Sequence, residues 1–171
     1  MPGGDLERVF AALETSSARY LVVGGVAVVL HGHPRFTADL DLVIALDRPN
    51  LRAALAALER LGYRPRAPVS LEQFLDPDAR RSWIEDKGLT VFSLWSPELP
   101  ATEIDLFASE PFPFEAAYAR AVRIDLGTTI VTVASIPDLI ALKRQAGRPQ
   151  DLEDVRTLEA IARELEEGGD G

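Results

Sequence analysis

Residues 20–45 read YLVVGGVAVVLHGHPRFTADLDLVIA, two apolar runs joined by a short segment rich in glycine, histidine and arginine. The first run meets Gly24-Gly25, and the second holds Asp39 and Asp41 alternating with Leu40 and Leu42. Strand residues two apart point the same way, so this spacing predicts both carboxylates on one face and both leucines on the other. The two acids then stand roughly 6.5 Å apart along the chain, near enough to bracket divalent metal ions. Acids in an apolar strand are costly to desolvate unless a positive group meets them. A divalent cation is the simplest such group.

The rest of the composition bounds the setting. With 171 residues the chain has length for one domain with a real core, and 47% apolar and 26% charged residues describe an ordinary folded protein. A net charge of −9 disfavours non-specific nucleic-acid binding by the whole surface, although a local basic cleft remains compatible with it. The absence of cysteine excludes disulfides and thiolate metal sites. The opening MPGGDLERVF has no basic segment followed by an apolar one. No apolar run approaches the roughly 18 residues of a membrane-spanning helix, and a cytoplasmic protein is expected. Arginine outnumbers lysine sixteen to two, which draws notice to Lys87 and Lys143.

Outward from the opening stretch, residues 4–18 predict an amphipathic helix, 20–23 a buried strand, 26–31 a short helix and 38–45 the acidic strand. Pro49 starts a helix that Gly62 stops. Residues 66–88 are polar and predict one or two helical turns leading to a loop. Residues 89–95 and 102–107 predict strands, 112–119 a short helix, and 120–126 with 129–133 a hairpin around Gly127. Ser135 caps a helix to about Gln145, and a last helix runs from Pro149 to Glu166 before a frayed GGDG tail. Strands mixed with helices predict an α/β (α+β) fold. Its mixed sheet, residues 1–133, is flanked by helices, and C-terminal helices at 135–166 pack on it within a single domain 1–171.

Three further features fit a metal held by Asp39 and Asp41. Gly24 and Gly25 stand where a strand meets a helix, and glycine lets an anion approach the backbone. The stretch TEIDLF places Asp105 in an apolar strand as a third carboxylate. LIALKRQAGRPQDLEDV supplies Lys143, Arg148 and Asp151 around a turn at Gly147. Acids for metal, glycines for phosphate and cations for a departing polyphosphate make up the inventory of nucleotidyl transfer.

The pattern GGxAxxxHGxxRxTxDLDL, residues 24–42, resembles the DNA-polymerase-β-like nucleotidyltransferases, and most closely the minimal AbiEii-type toxin branch. The later KRQAGRPQDLEDV is similar to that branch as well. The resemblance implies that Asp39, Asp41 and Asp105 bind two Mg²⁺ (or Mn²⁺) ions. It implies transfer of a nucleoside monophosphate from an NTP, with ATP the expected nucleotide, to an acceptor hydroxyl, releasing pyrophosphate. Gly24, Gly25, Arg35, Thr37, Lys143, Arg148 and Asp151 would serve the nucleotide and its phosphates. The toxin branch implies an RNA acceptor and a separate antitoxin partner. An aminoglycoside or other small-molecule acceptor is the alternative within the same chemistry, and a non-catalytic nucleotide-binding module the alternative outside it. Many members carry Gly-Ser where this chain has Gly24-Gly25, so one hydroxyl of the phosphate site is missing.

Simpler readings stand beside these. His31 and His33 flank a helix end and are expected to pack or cap. Trp83, Trp95 and Phe92 are expected in the core. Lys143 and Arg148 also suit solvated helix faces, and Asp151 a charge at a helix start.

Overall fold

The computed structural model describes residues 2–37 and 39–169. Among these, eight helices surround a seven-stranded mixed sheet. The elements run α1 (Pro2–Ser16), β1 (Tyr20–Val23), α2 (Gly24–Leu30), β2 (Asp39–Ile44), α3 (Arg48–Arg60), β3 (Arg64–Pro65), α4 (Leu71–Phe74) and α5 (Pro77–Lys87). There follow β4 (Val91–Trp95), β5 (Glu103–Phe107), α6 (Phe114–Ala119), β6 (Val122–Asp125), β7 (Ile130–Val133), α7 (Ile136–Ala146) and α8 (Pro149–Gly169). The strand order is β3-β4-β5-β2-β1-β7-β6. β1 pairs antiparallel with β2 and parallel with β7, while β2 pairs parallel with β5. Among the described residues no helix is long and apolar enough to cross a membrane.

The predicted α/β architecture is the one observed, with a difference at 64–88. There the chain forms β3, α4 and an eleven-residue α5 in place of a few turns and a loop. The signals were local. Asp76 accepts a hydrogen bond from the Asp78 N–H, Pro77 opens the helix, and Gly88 closes it in the left-handed conformation at φ 63°. Helix α2 begins at Gly24, two residues earlier than expected, and α8 continues through the first two glycines of the tail. Ala38, expected to open the acidic strand, lies outside the described residues.

Alternation places the core. Leu40 and Leu42 on β2, Ile104 and Leu106 on β5, and Phe92 and Leu94 on β4 are all at most 2% exposed. On β5 and β4 the intervening residues are only partly covered. Phe74 and Trp83 of α4 and α5 stack with Phe92 on the buried face, with Phe74 and Phe92 centroids 4.7 Å apart. Asn50 ties the sheet end away from the acids. Its Oδ1 accepts from the Arg19 N–H at 2.7 Å, and its Nδ2 donates to the carbonyls of Arg19 (3.1 Å) and Ala45 (2.9 Å). That clasp supports the β1–β2 register, in which Val23 stands opposite Asp41. A one-residue slip would turn the acids into the core, so the leucine face enforces the register as well.

Candidate active site

The acids meet through strand pairing. Asp41 is the register partner of Asp105 on β5, and Asp39 of Glu103. Asp39, Asp41 and Asp105 therefore share one face of the sheet, as the alternating sequence predicts. They form the floor of a cavity of about 720 Å³ whose other walls include Gly24, Gly25, Arg35, Thr37, Lys143, Arg148, Asp151 and Asp154. Every predicted site residue thus lines this one cavity. They are contributed by β1–α2, the 31–37 connection, β2, β5 and the α7–α8 turn.

Electrostatics distinguishes the three acids. Burial, then the charges of Asp105 and Asp39, pushes the Asp41 carboxyl up to about 7; Lys143 and Arg148 pull the other way and are outweighed. Asp39 is raised for the same reasons, burial first and then Asp105 and Glu103. No hydrogen bond contributes to either shift. The Asp105 carboxylate instead accepts a 2.6 Å hydrogen bond from the Ser93 hydroxyl on β4, its register partner. The donors are all hard carboxylate oxygens short of positive charge, the set that suits a divalent cation such as Mg²⁺. Among the described residues no three acidic or histidine side chains converge on a single point.

The two glycines have a more local reason than phosphate approach. Gly24 has φ +72°, and a Cβ there would lie 2.1 Å from the Asp41 Oδ2. Only glycine lets the carboxylate rest against this turn. A Cβ on Gly25 would lie 2.7 Å from the Thr37 Oγ1 and 3.5 Å from the Arg35 guanidinium carbon. The Thr37 hydroxyl therefore stands in the space that a serine at position 25 would claim.

Opposite the acids, α7 and α8 carry an ion-pair network built on the buried Lys143, Asp151 and Asp154. Lys143 Nζ donates to Asp154 Oδ2 at 2.8 Å and lies 3.9 Å from Asp151. Arg35 donates to the same Asp154 oxygen, and Gln150 to the other at 3.2 Å. Arg148 grips Asp151 through its Nε at 2.7 Å. Burial alone would raise the Asp154 carboxyl; the hydrogen bond and charge of Lys143, with those of Arg35, overcome it and hold the group below its ordinary value. For Asp151 burial is likewise outweighed, here chiefly by Arg148. Lys143 is 6% exposed, so it is no solvated surface lysine, whereas Lys87 is exposed.

Sequence reasoning missed Asp154 and Ser93. Asp154 had a signal, since it lies three residues after Asp151 and shares its helix face. Ser93 had none, because its role depends on strand pairing. His31 packs as expected, its Nε2 2.9 Å from the Ala134 carbonyl oxygen. Trp95 departs from expectation. It lies on the acidic face rather than in the core, with the Arg64 and Arg66 guanidinium groups 5.7 and 5.5 Å from its ring centroid.

With this geometry in place, the comparisons with known proteins bear on it directly. Residues 5–166 match the family described as nucleotidyltransferase of unknown function (DUF6036). The chain belongs to this nucleotidyltransferase family. No curated protein matches its sequence. Among solved structures it is similar to the lincosamide antibiotic adenylyltransferase LnuA bound to lincomycin (TM-score 0.62, 15% identity, 92% of this chain and 96% of that one). It is similar also to ANT(2″)-Ia in complex with adenylyl-2″-tobramycin (TM-score 0.55, 16% identity, 92% and 90%). A third is an antigenic nucleotidyltransferase-like protein from Paracoccidioides brasiliensis (TM-score 0.54, 16% identity, 92% and 74%). At these identities the likeness is one of fold, and it extends over nearly the whole chain.

Proposed function

We propose that this nucleotidyltransferase moves a nucleoside monophosphate from an NTP to an acceptor hydroxyl, using 1–171 as a single catalytic domain in the cytoplasm. The observation that carries the reading is the meeting of Asp39, Asp41 and Asp105 on a cavity floor opposite Arg35, Lys143 and Arg148. Asp39, Asp41 and Asp105 would hold Mg²⁺, which supplies Lewis-acid polarisation of the α-phosphate and charge for the leaving pyrophosphate. Asp105 stands beside the acceptor and takes its hydroxyl proton. The acceptor oxygen then bonds to the α-phosphorus, the bond from that phosphorus to the bridging oxygen breaks, and the electron pair leaves with pyrophosphate. Lys143, Arg35 and Arg148 balance the β- and γ-phosphates, while Gly24, Gly25 and the Thr37 hydroxyl shape the phosphate side. Asp151 and Asp154 keep those cations in place.

For the acceptor we favour RNA, with the chain acting as the toxin of an AbiEii-like pair restrained by an antitoxin. The residue pattern at 24–42 supports this. A small-molecule acceptor is the second reading, favoured by the likeness in fold to two antibiotic-modifying enzymes. The test is incubation with each α-labelled NTP and Mg²⁺ or Mn²⁺, offering bulk RNA, lincomycin and tobramycin as acceptors. Label transferred by the parent and lost in Asp41→Asn supports the chemistry, and the labelled product identifies the acceptor. Absence of transfer to every acceptor, with no metal-dependent NTP binding, overturns it. Growth arrest on expression, relieved by the same variant, is the outcome that the toxin reading requires.

A further inference from the structure

The acidic face does not end at the carboxylates. Strand β5 carries Glu103 beside Asp39, β4 carries Ser93 beside Asp105, and Trp95 lies two residues beyond Ser93 on the same face. Arg64 is the register partner of Trp95 on β3, the outermost strand of the sheet. Arg66 lies across the Trp95 ring and donates from Nε and its second terminal nitrogen to Glu103, at 2.9 and 3.2 Å. Arg64 also lies over the ring, and among the described residues it has no ion-pair partner. Trp95 is only partly covered and both arginines are exposed. The aromatic cluster of Phe74, Trp83 and Phe92 packs on the other face, so Trp95 has no share in that core.

We propose that Trp95, Arg64 and Arg66 form an acceptor subsite for the terminal nucleotide of a single-stranded nucleic acid. This rests on the nucleotidyl-transfer reading and names its acceptor from this chain's own surface. A partly covered indole flanked by guanidinium groups offers a base two kinds of stacking plane, and Arg64 offers its phosphate a free charge. Strand spacing places Trp95 one strand from Asp105 and roughly 8 Å away, the span of a single nucleotide. A base on Trp95 thus sets its own sugar hydroxyl toward Asp105 and the acids. The strip runs to the sheet edge at β3, so a longer strand leaves without crossing the cavity.

The test is binding of a labelled hexaribonucleotide with a free 3′ hydroxyl to the full chain, with AMP and tobramycin as comparison probes. The expected result is that the oligonucleotide binds more tightly than AMP or tobramycin. Trp95→Ala then weakens it about tenfold or more, the loss of one stacked base. Trp95→Phe restores most of that affinity, and Arg64→Glu weakens binding while flattening its salt dependence. In each variant the melting shift produced by Mg²⁺ with NTP stays at the parent value. If Trp95→Ala and Arg64→Glu both bind the oligonucleotide as the parent does, the subsite is refuted. Tighter binding of tobramycin than of the oligonucleotide refutes it too. Loss of the Mg²⁺–NTP melting shift in the parent itself would instead strike the nucleotidyl-transfer reading, and the oligonucleotide titration still judges the platform.

Discussion

Replacing Asp41 by asparagine isolates the electrostatic strain at the site. Burial, Asp105 and Asp39 raise the Asp41 carboxyl from an ordinary 3.8 to about 7. Below pH 3.8 folded and unfolded chains both hold the proton, and the carboxyl imposes no penalty. Between 3.8 and about 7 the unfolded chain has released the proton that the folded one keeps, so stability falls as the pH rises. Above about 7 both states are ionised and the penalty is complete. The full interval corresponds to a ceiling of about 4 kcal/mol, which partial solvent access through the cavity mouth reduces to about 2 kcal/mol. In chelator, Asp41→Asn is therefore expected to be about 2 kcal/mol more stable than the parent at pH 8, a rise in Tm of roughly 4–8 °C. The difference should shrink steadily and vanish near pH 4. Urea or thermal melts of both proteins from pH 4 to 8 measure it. A variant less stable than the parent at pH 8, or a difference independent of pH, refutes the account of an uncompensated acid cluster. Transfer should be abolished in the variant at every pH.

Four shorter expectations follow from the same geometry. Mg²⁺ with NTP should raise the parent's Tm by more than the two separate shifts added together, because ligands that share a site through metal–phosphate bonds are coupled; equal shifts with NTP in Mg²⁺ and in chelator would refute this. Lys143→Ala should lose about 3 kcal/mol of stability by stripping Asp154 of a buried partner, and about 2–4 kcal/mol of transition-state stabilisation in kcat/KM for NTP. AMP should bind this variant as it binds the parent, while Lys87→Ala should change stability by under about 0.5 kcal/mol. Ser93→Ala should alter stability by about 1 kcal/mol and lower kcat, since Asp105 loses the hydroxyl hydrogen-bonded to it; an unchanged kcat removes Ser93 from the site. Gly25→Ser should cost about 1–3 kcal/mol by crowding Thr37, and Gly25→Ser with Thr37→Gly should recover it in denaturant melts.

The sheet was legible because its signals are local and period-two. DLDLVI and EIDLF state in their alternation which face is wet, and burial follows it residue by residue on β5. Capping residues likewise announced α3 and α7. The stretch 64–88 was less legible because its composition is polar. Its helices bury few large side chains, chiefly Phe74 with partly covered Trp83 and Ile84, so periodicity is faint although the caps are clear. Trp95 was misplaced because aromatic character alone favours burial. What decides its face is the register with Ser93 and Asp105, which a single strand does not reveal. Asp154 marks another limit. Its neighbours Arg35 and Lys143 are 119 and 11 residues away, and only the tertiary fold brings both to one oxygen.

Charge balance in the cavity links these observations. Its walls hold five carboxylates, Asp39, Asp41, Asp105, Asp151 and Asp154, against three cations, Arg35, Lys143 and Arg148, two negative charges in excess once Asp41 ionises above about pH 7. The cations are already engaged by Asp151 and Asp154, and those two acids sit below their ordinary pKa because of it. The remaining three acids face the cavity without a cation of their own. A polyanionic triphosphate entering alone would meet this excess and be repelled. With divalent ions on the floor the sign reverses, and the same triphosphate then completes the balance between floor and roof. On the proposed function, this arrangement would make nucleotide binding conditional on metal through electrostatics alone. Weakening the roof by Lys143→Ala should raise the metal concentration needed for half-maximal NTP binding, and relieving the floor by Asp39→Asn should let residual NTP bind in chelator. NTP binding in chelator that is as tight as in Mg²⁺ for the parent would contradict this balance.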